Sequence, residues 1–178
     1  MAHLVYLAGP IKGLSFDDSV NWRAQAEKVL GEVGIGTLNP MRFKDYLKDE
    51  QNLQEIYPNH HLSTSKSIVS RDTHDIRRVD IVLANFVGAQ SVSIGTSCEV
   101  GYAYALGVPI VTALEPGSLH DHCFIREMSS YVVPSVAEAL ELTAQILLTK
   151  PAAKTEVKVS HTSEAWGNSV LRKTKVEW

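Results

Sequence analysis

Glu99 is the residue of this chain whose sequence surroundings best suit chemistry. It lies about one turn inside a helix of small residues, 93–107, that follows an apolar strand. The backbone N–H groups of Gly95 and Thr96 would point into the crevice at the start of that helix, where the helix dipole favours an anion. A carboxylate beside such a loop suggests reactions on a sugar or phosphate ligand. Thr96 and Glu99 also have the spacing of a capping box, which requires no substrate, so both interpretations stay open.

A second carboxylate comes from a different segment. Asp72 lies on the helix before the strand 80–86, and parallel-sheet topology brings that helix close to the end of the first strand and to Glu99. Two carboxylates in one crevice suit glycosidic-bond cleavage, in which one attacks the anomeric carbon and the other handles a proton, at about 5 Å separation in retaining enzymes. The polar residues of these segments are Tyr6 and Lys12, Arg71 and Asp72, and Asn85, Ser93 and Glu99.

Several of these residues also have a purely structural interpretation. Asp72 could be a surface acid paired with a basic neighbour, and Asp75 is predicted to be such a surface acid. Tyr6 lies on a buried strand, where a tyrosine is a core residue by default, although its polar tip near the end of the strand also suits a site. Lys12 could simply be solvated.

Apolar runs separated by turn residues predict five strands that alternate with helices. The predicted strands are 3–8, 35–38, 80–86, 108–113 and 131–133. The predicted helices are 15–33, 68–78, 93–107, 122–130 and 135–148. The polar, irregular segment 41–67 is predicted to hold a helical piece followed by a mobile loop.

This alternation predicts an α/β fold with a doubly wound sheet of five parallel strands in a flavodoxin-like or Rossmann-like single domain. The ligand crevice of such a sheet lies where the loops after the first and third strands meet. Residues 1–149 are predicted to form this domain. Residues 150–178 have no apolar periodicity, which predicts a C-terminal extension that is a tail or an oligomer arm.

Composition and charge exclude several classes of protein. The 178 residues, 44% hydrophobic and 21% charged, are enough for one globular domain with a real core. A net charge of -3 gives no broad basic field, so nucleic acid is not expected as a partner. Cys98 and Cys123 lack metal-binding spacing and are expected to be reduced thiols. Because no signal-like or membrane-spanning apolar run is present, we expect a cytoplasmic protein without a membrane partner.

Three segments of the chain resemble the nucleoside 2-deoxyribosyltransferase family. They are Tyr6-Leu7-Ala8-Gly9-Pro10-Ile11, the Arg71-Asp72 pair eight residues before Asp80, and Ser93-Ile94-Gly95-Thr96-x-x-Glu99-x-Gly101-x-Ala103. The resemblance covers roughly residues 3–148, and the last motif is fairly specific when the other two lie in this order.

The resemblance implies a role for each matching residue. Glu99 is implied to be the nucleophile that forms a covalent deoxyribosyl-enzyme, Asp72 the proton donor to the leaving base, and Tyr6 the residue that holds Glu99 or the 2′ side of the sugar. An N-glycosidic bond breaks through an oxocarbenium-like state that a carboxylate stabilises, while the departing base needs a proton. The residues expected to bind substrate are Gly9, Lys12, Asn85, Ser93, Gly95, Thr96 and His122.

Ser93 departs from the pattern of the transferases. Six residues before the nucleophile, transferases that act on free nucleosides carry an acid for the 5′-hydroxyl of the sugar. Related 2′-deoxynucleoside 5′-phosphate N-hydrolases resemble this chain instead, with a serine there and a basic residue at the offset of Lys12. A hydroxyl, helix-start amides and a lysine suit a phosphate dianion. The longer loop between Asp80 and Glu99 and the presence of Pro10 are more transferase-like, so the 5′ group leans to phosphate but stays open.

The run His120-Asp121-His122 has the spacing of metal ligands. Four-coordinate zinc needs further ligands at recognisable offsets, which the sequence lacks, so neither a metal nor another cofactor is expected. The resemblance implies instead that His122 or Arg126 serves the pocket of a neighbouring subunit. The protein is therefore expected to be a homo-oligomer, a dimer or larger.

These observations combine into one functional hypothesis. The protein would cleave the N-glycosidic bond of a 2′-deoxynucleoside or its 5′-monophosphate by a retaining double displacement through an ester of Glu99. It would then pass the sugar to another nucleobase or to water. The alternative is a non-catalytic nucleotide-binding module in which Glu99 is only a capping residue.

Overall fold

The computed structural model of the protein describes residues 3–148, and the predicted tail 150–178 lies outside them. Its five strands are β1 (Leu4–Ala8), β2 (Gly36–Leu38), β3 (Ile81–Asn85), β4 (Ile110–Ala113) and β5 (Tyr131–Val133). All neighbouring pairs are parallel, in the order β2-β1-β3-β4-β5. This is the flavodoxin-like order, so the fold predicted from the sequence is confirmed.

Within residues 3–148, five α-helices connect the strands and cover the sheet. They are α1 (Phe16–Glu32), α2 (Ser65–Ile76), α3 (Ile94–Ala105), α4 (Cys123–Met128) and α5 (Val136–Leu147). The predicted helices all exist, with bounds that differ by a few residues. Within residues 3–148, none of them combines the length and the hydrophobicity that a bilayer crossing requires.

The sheet carries a separate apolar core on each face. The strands β1 and β3 are almost entirely buried, because helices pack on both sides of them. Alternate residues of each strand point to opposite faces. The core beneath α1 and α5 includes Val5, Leu7, Trp22, Leu83 and Leu140. The core beneath α2, α3 and α4 includes Tyr6, Ala8, Ile76, Val82 and Val100.

The segment between β2 and α2 differs from the prediction. Its regular structure consists of two short 3-10 turns, Asp45–Leu47 and His61–Ser63, where a helical piece followed by a mobile loop was expected. A small third core of Met41, Leu47 and Leu53 packs this segment against the rest of the protein. The three buried side chains of this core are six residues apart, which is not the spacing of three or four that lets one face of a helix be buried, so no long helix forms.

Candidate active site

A cleft of about 330 Å³ lies between α2 and α3. Side chains at helical spacing line it from both sides, because residues three or four apart share one face of a helix. The lining residues are Ile68, Val69, Asp72, Thr73 and Ile76 from α2, and Gly95, Cys98, Glu99 and Tyr102 from α3. The two half-buried carboxyl groups, Asp72 and Glu99, thus face one space from different helices, as the sequence predicted.

Tyr6 joins the sheet to this cleft. Its side chain is completely buried on β1, on the face that α2 and α3 cover. The Tyr6 hydroxyl donates a hydrogen bond of 2.6 Å to Oε1 of Glu99. Burial and the nearby charge of Glu99 hold the pKa of Tyr6 well above its usual value, so the hydroxyl keeps its proton and remains a donor. A rigid strand therefore fixes one oxygen of Glu99, and the donated bond favours the ionised carboxylate.

Burial makes both carboxyl groups of the cleft hold protons more tightly than usual. Burial and the neighbouring charge of Asp72 raise the pKa of Glu99 to about 8, against the opposing effects of the Tyr6 hydrogen bond and the charge of Arg23. Burial also raises the pKa of Asp72 to about 6, although the charge of Lys44 lowers it. Interacting carboxyl groups titrate as a pair, so between about pH 6 and pH 8 these two share one proton.

The structural interpretation of Asp72 as a paired surface acid does not describe its surroundings. Among residues 3–148, Asp72 forms no ion pair with a basic side chain. The adjacent Arg71 instead donates from Nη2 to the carbonyl oxygen of Arg42, at 2.9 Å. Asp72 therefore lines the cleft as a carboxyl group without a bound counterion.

Asp75 corrects the prediction of a surface acid. Its side chain is fully buried and lies 2.6 Å from Nη1 of Arg42 and 2.8 Å from Nη2 of Arg78. Arg42 belongs to the segment after β2, so the contact that buries Asp75 spans 33 residues of sequence. The hydrogen bonds from the two arginines lower the pKa of Asp75 despite its burial.

Two buried cations near the carboxylates were missed by the sequence analysis. Arg23 of α1 is fully buried and donates to the carbonyl oxygens of Leu7 at 3.3 Å and Gly9 at 2.8 Å. Burial lowers its pKa to about 10, so it stays charged at neutral pH. Its place on the apolar face of α1, beside Trp22, was a usable signal, because an arginine at such a position needs buried partners.

Lys44 is the second of these cations, and it is only 5% exposed. It follows Phe43, whose backbone has a φ of 63°, in the left-handed region that a bulky residue seldom adopts. The two side chains diverge, because Phe43 is 76% exposed while Lys44 is buried. Burial lowers the pKa of Lys44, and the charge of Asp72 opposes this effect. The irregular sequence around it offered no signal for this placement.

The start of α3 corrects the capping-box interpretation of Glu99. The cap is Ser93, whose Oγ lies 3.4 Å from the backbone N–H of Thr96 and 2.9 Å from Oγ1 of the same residue. Thr96 is buried inside the first turn, so it does not cap the helix with Glu99. Gly95 has open space where a Cβ would be and lines the cleft. Glu99 therefore does not cap α3.

The remaining predicted substrate ligands do not line the cleft. Lys12 is exposed, and its Nζ lies 2.8 Å from Oε2 of the exposed Glu55. Asn85 is buried at the end of β3, where its Oδ1 accepts from the N–H of Val87 at 2.9 Å. His122 is exposed and caps α4, with Nδ1 accepting from the N–H of Phe124 at 3.3 Å.

Gly9 supports the site through packing. A Cβ on this residue would lie 2.8 Å from the ring of Trp22 and 3.1 Å from the carbonyl oxygen of Asn85. The chain leaving β1 can therefore pass Trp22 this closely only with a glycine, which also gives its carbonyl oxygen to Arg23.

Tyr102 is a further cleft residue that the sequence analysis did not single out. Its hydroxyl is buried and has no hydrogen-bond partner within residues 3–148. A buried polar group without a partner calls for an explanation, and a ligand in the cleft would supply one. Its position three residues after Glu99 was the available signal, because this spacing places both side chains on one face of α3.

Comparison with known protein families gives one match. The family model described as nucleoside 2-deoxyribosyltransferase matches residues 5–130, which is most of the described chain. A search of the curated proteins gives no significant match.

Solved structures share this fold at low sequence identity. A 2-desoxiribosyltransferase from Leishmania mexicana is 17% identical with a TM-score of 0.58, over 82% of this chain and 99% of the other. The CMP N-glycosidase BcmB from Clostridium botulinum is 19% identical with a TM-score of 0.52, over 80% and 98%. A Moco carrier protein from Chlamydomonas reinhardtii is 15% identical with a TM-score of 0.52, over 83% and 98%.

Proposed function

This chain belongs to the nucleoside 2-deoxyribosyltransferase family, and we propose that it cleaves the N-glycosidic bond of 2′-deoxynucleosides or their 5′-monophosphates. The observation that carries the proposal is the pairing of Asp72 and Glu99 across one cleft, with the Tyr6 hydroxyl on Glu99. No metal or redox cofactor enters the proposed reaction.

In the first proposed step, the ionised carboxylate of Glu99 attacks C1′ of the sugar. The bond between C1′ and the base nitrogen breaks, and its electron pair leaves with the base. Asp72 delivers a proton to the base as it departs, so the base leaves neutral. The hydrogen bond from Tyr6 holds one oxygen of Glu99, which leaves the other oxygen free for the attack.

In the second proposed step, another nucleobase or water attacks C1′ from the opposite side. The ester bond to Glu99 breaks, and its electron pair returns to the carboxylate. Asp72, now ionised, accepts the proton that the acceptor loses. Two inversions at C1′ retain its configuration, as in retaining glycosidases.

The electrostatics of the cleft support these roles. The first step begins with one proton on the two carboxyl groups, and the pair carries one proton between about pH 6 and pH 8. Burial and the charge of Asp72 outweigh the Tyr6 hydrogen bond, so the pKa of Glu99 lies above that of Asp72 and the shared proton lies mainly on Glu99 before substrate binds. The proposed starting state, with Glu99 ionised and Asp72 protonated, is therefore the less populated of the two one-proton arrangements, and the shared proton moves from Glu99 to Asp72 before the attack.

For the 5′ group of the substrate we propose a phosphate held at the start of α3. Ser93 places a hydroxyl there, and the N–H groups of the first turn carry the positive end of the helix dipole. Lys12 is engaged by Glu55, but both side chains are exposed, so the ammonium can exchange this partner at little cost.

A non-catalytic carrier remains the second candidate function. The Moco carrier protein from Chlamydomonas reinhardtii shares the fold with 83% of this chain, so the architecture also occurs in a protein described as a carrier. The two candidates differ in whether a bond is broken, which one assay decides.

The test incubates the protein with a 2′-deoxynucleoside and, separately, with its 5′-monophosphate, with and without a second nucleobase. Released base and new nucleoside are measured by chromatography. We expect base release, with a kcat/KM for the monophosphate that exceeds that for the nucleoside by roughly one to two decades. Release of no base from any substrate would refute the enzyme and favour the carrier.

Ser93→Asp tests the 5′ assignment. The added carboxylate repels a phosphate dianion and accepts a hydrogen bond from a 5′-hydroxyl. The variant should therefore prefer the nucleoside over the monophosphate as substrate. Ser91→Asp is the matched control, because it adds the same charge at an exposed position of the same loop. A wild-type preference for the nucleoside would return the chain to transferases that act on free nucleosides.

A further inference from the structure

His120 occupies an interior position that its neighbours in sequence do not predict. It lies in the loop between β4 and α4, yet it is only 3% exposed. Its ring stacks on the buried ring of Phe86, with the centroids 4.3 Å apart and the planes inclined by 26°. Phe86 directly follows β3, so this loop packs against the end of the central strand.

The ring nitrogens of His120 have unequal surroundings. The backbone N–H of Ser93 donates to Nε2 at 2.7 Å, so Nε2 carries no proton in this arrangement. In the neutral ring, the proton must then lie on Nδ1, which is buried and has no partner within residues 3–148. A buried N–H without a partner is unfavourable, and a phenylalanine would fill this stack without that penalty. Packing against Phe86 therefore does not explain why this residue is a histidine.

We infer that neutral His120 is a positioning residue, which fixes Ser93 at the start of α3 for substrate binding. The inference rests on the proposed function, because it assigns His120 an effect on the site through Ser93. Ser93 uses its N–H on His120, and its Oγ contacts Thr96. The histidine thus anchors the residue that caps the helix carrying Gly95 and Glu99.

The surroundings of His120 favour the neutral form of its ring. Burial lowers the pKa of His120. On its own loop, Glu115 accepts from the N–H of Gly88, and Asp121 pairs with Arg126. On the other side, the ring stacks on Phe86 and Nε2 accepts from the N–H of Ser93, and neither residue carries a charge. Protonation of Nε2 removes the acceptor for Ser93, so the anchor exists only while the ring is neutral.

Two substitutions separate anchoring from packing. His120→Phe keeps the ring on Phe86 and removes the acceptor, whereas His120→Gln can place an amide oxygen near the position of Nε2. We expect His120→Phe to raise KM roughly three- to tenfold, as for the loss of one hydrogen bond, with kcat within about twofold of wild type. His120→Gln should recover most of the wild-type KM. Equal KM values for wild type and His120→Phe would overturn the inference.

A spectroscopic measurement tests the same contact without substrate. In the folded wild-type protein at pH 8, the nitrogen NMR signals of His120 should identify the Nδ1–H tautomer. As the pH falls below about 6.5, the amide signal of Ser93 should shift together with the titration of His120. An Nε2–H tautomer, or a Ser93 amide that ignores that titration, would overturn the inference. If the wild-type protein releases no base, the proposed function fails, while this measurement still decides the role of His120.

Discussion

Asp72 and Asp75 are two aspartates on one helix, three residues apart, with opposite surroundings. Asp75 is fully buried and held by Arg42 and Arg78. Asp72 is half-buried at a cleft and has no such partner among the described residues. The pKa of Asp75 is lowered by its two arginines, whereas burial raises the pKa of Asp72 to about 6.

This contrast shows that the partners of an acid, more than its burial, decide what the acid can do. The more deeply buried aspartate is the one that stays ionised, because two guanidinium groups offset its loss of water. Such a group stabilises the fold but has no proton to give at neutral pH. Asp72 lacks that compensation, so burial raises its pKa to about 6, towards the range in which a general acid can give and regain a proton near neutral pH.

Replacing Glu99 should produce the largest effect of any single change at the cleft. Glu99→Gln keeps an oxygen for the Tyr6 hydrogen bond but removes the proposed nucleophile, so we expect kcat to fall by roughly 10⁴-fold or more. The measurement is release of free base at saturating substrate. Glu141→Gln, an exposed acid on α5, is the matched control and should leave the rate unchanged.

The stability of Glu99→Gln gives an independent check. The pKa of Glu99 is raised in the folded protein to about 8. The stability linked to this group is therefore fully present below its unfolded pKa of about 4.3, and the folded protein loses it as the pH rises towards 8. Gln does not ionise, so Tm of the variant should exceed that of wild type at pH 8 and match it near pH 4. An active variant would refute the role of Glu99 as nucleophile, and a variant that is destabilised at pH 8 would mean that Glu99 stabilises the fold.

Asp72→Asn should have the second-largest effect. Removal of a general acid typically costs about 10²- to 10⁴-fold, and we expect this loss for substrates whose base must be protonated to leave. A nitrophenyl 2-deoxyriboside, with a good leaving group, should be partly spared. Asp75→Asn is the matched control, since it makes the same change on the same helix away from the cleft.

Equal losses on both substrates would show that Asp72 positions the ligand and donates no proton. A loss in Asp75→Asn as large as in Asp72→Asn would remove the contrast between the two aspartates. The comparison within one helix therefore tests the acid role more sharply than either variant does alone.

Local patterns were enough to predict the order of elements and the sheet. The strands β1 and β3 are short apolar runs ended by turn or polar residues, and Ser15 and Ser135 mark helix starts that the structure bears out. The predicted start of α2 was less accurate, because its cap at Thr64 lies in a polar stretch without apolar periodicity. The prediction began this helix at residue 68, but it begins at Ser65.

The parts that could not be predicted depend on contacts between distant segments. Asp75 was expected at the surface because its neighbours are polar, but Arg42 reaches it from the loop after β2. The interior places of Lys44 and His120 likewise depend on how two irregular loops fold back onto the sheet. No short pattern encodes such contacts. The cleft itself could be predicted, because sequence motifs single out Asp72, Glu99 and Tyr6 and the topology of the sheet brings their segments together.

The shared proton of the two cleft carboxyl groups predicts a bell-shaped dependence of kcat/KM on pH. Activity should rise as the first proton leaves the pair near pH 6 and fall as the second leaves near pH 8. Outside this window the rate should change about tenfold per pH unit. The profile of free-base release, measured with a substrate that does not titrate there, checks this. A flat profile from pH 5 to pH 9 would contradict a one-proton pair.

Asp75→Asn should have the smallest effect on catalysis and act on stability instead. Loss of the charge that binds Arg42 and Arg78 should lower the free energy of unfolding at pH 7 by about 1–3 kcal/mol, at the lower end because both arginines can reach water. Chemical denaturation of wild type and variant measures this. The rate of base release should stay within about twofold of wild type, because Asp75 does not line the cleft.

The pH dependence of that loss determines whether the ion pairs cause it. Because the folded-state pKa of Asp75 is lowered, its contribution is present above the unfolded value of about 3.9 and is lost as the pH falls through the folded value. The difference in stability between wild type and Asp75→Asn should therefore be largest above pH 5 and shrink towards pH 2. A difference that persists unchanged at pH 2 would show that packing of the side chain, and not its charge, stabilises α2. The contrast between a structural and a chemical aspartate on this helix would then need another physical basis.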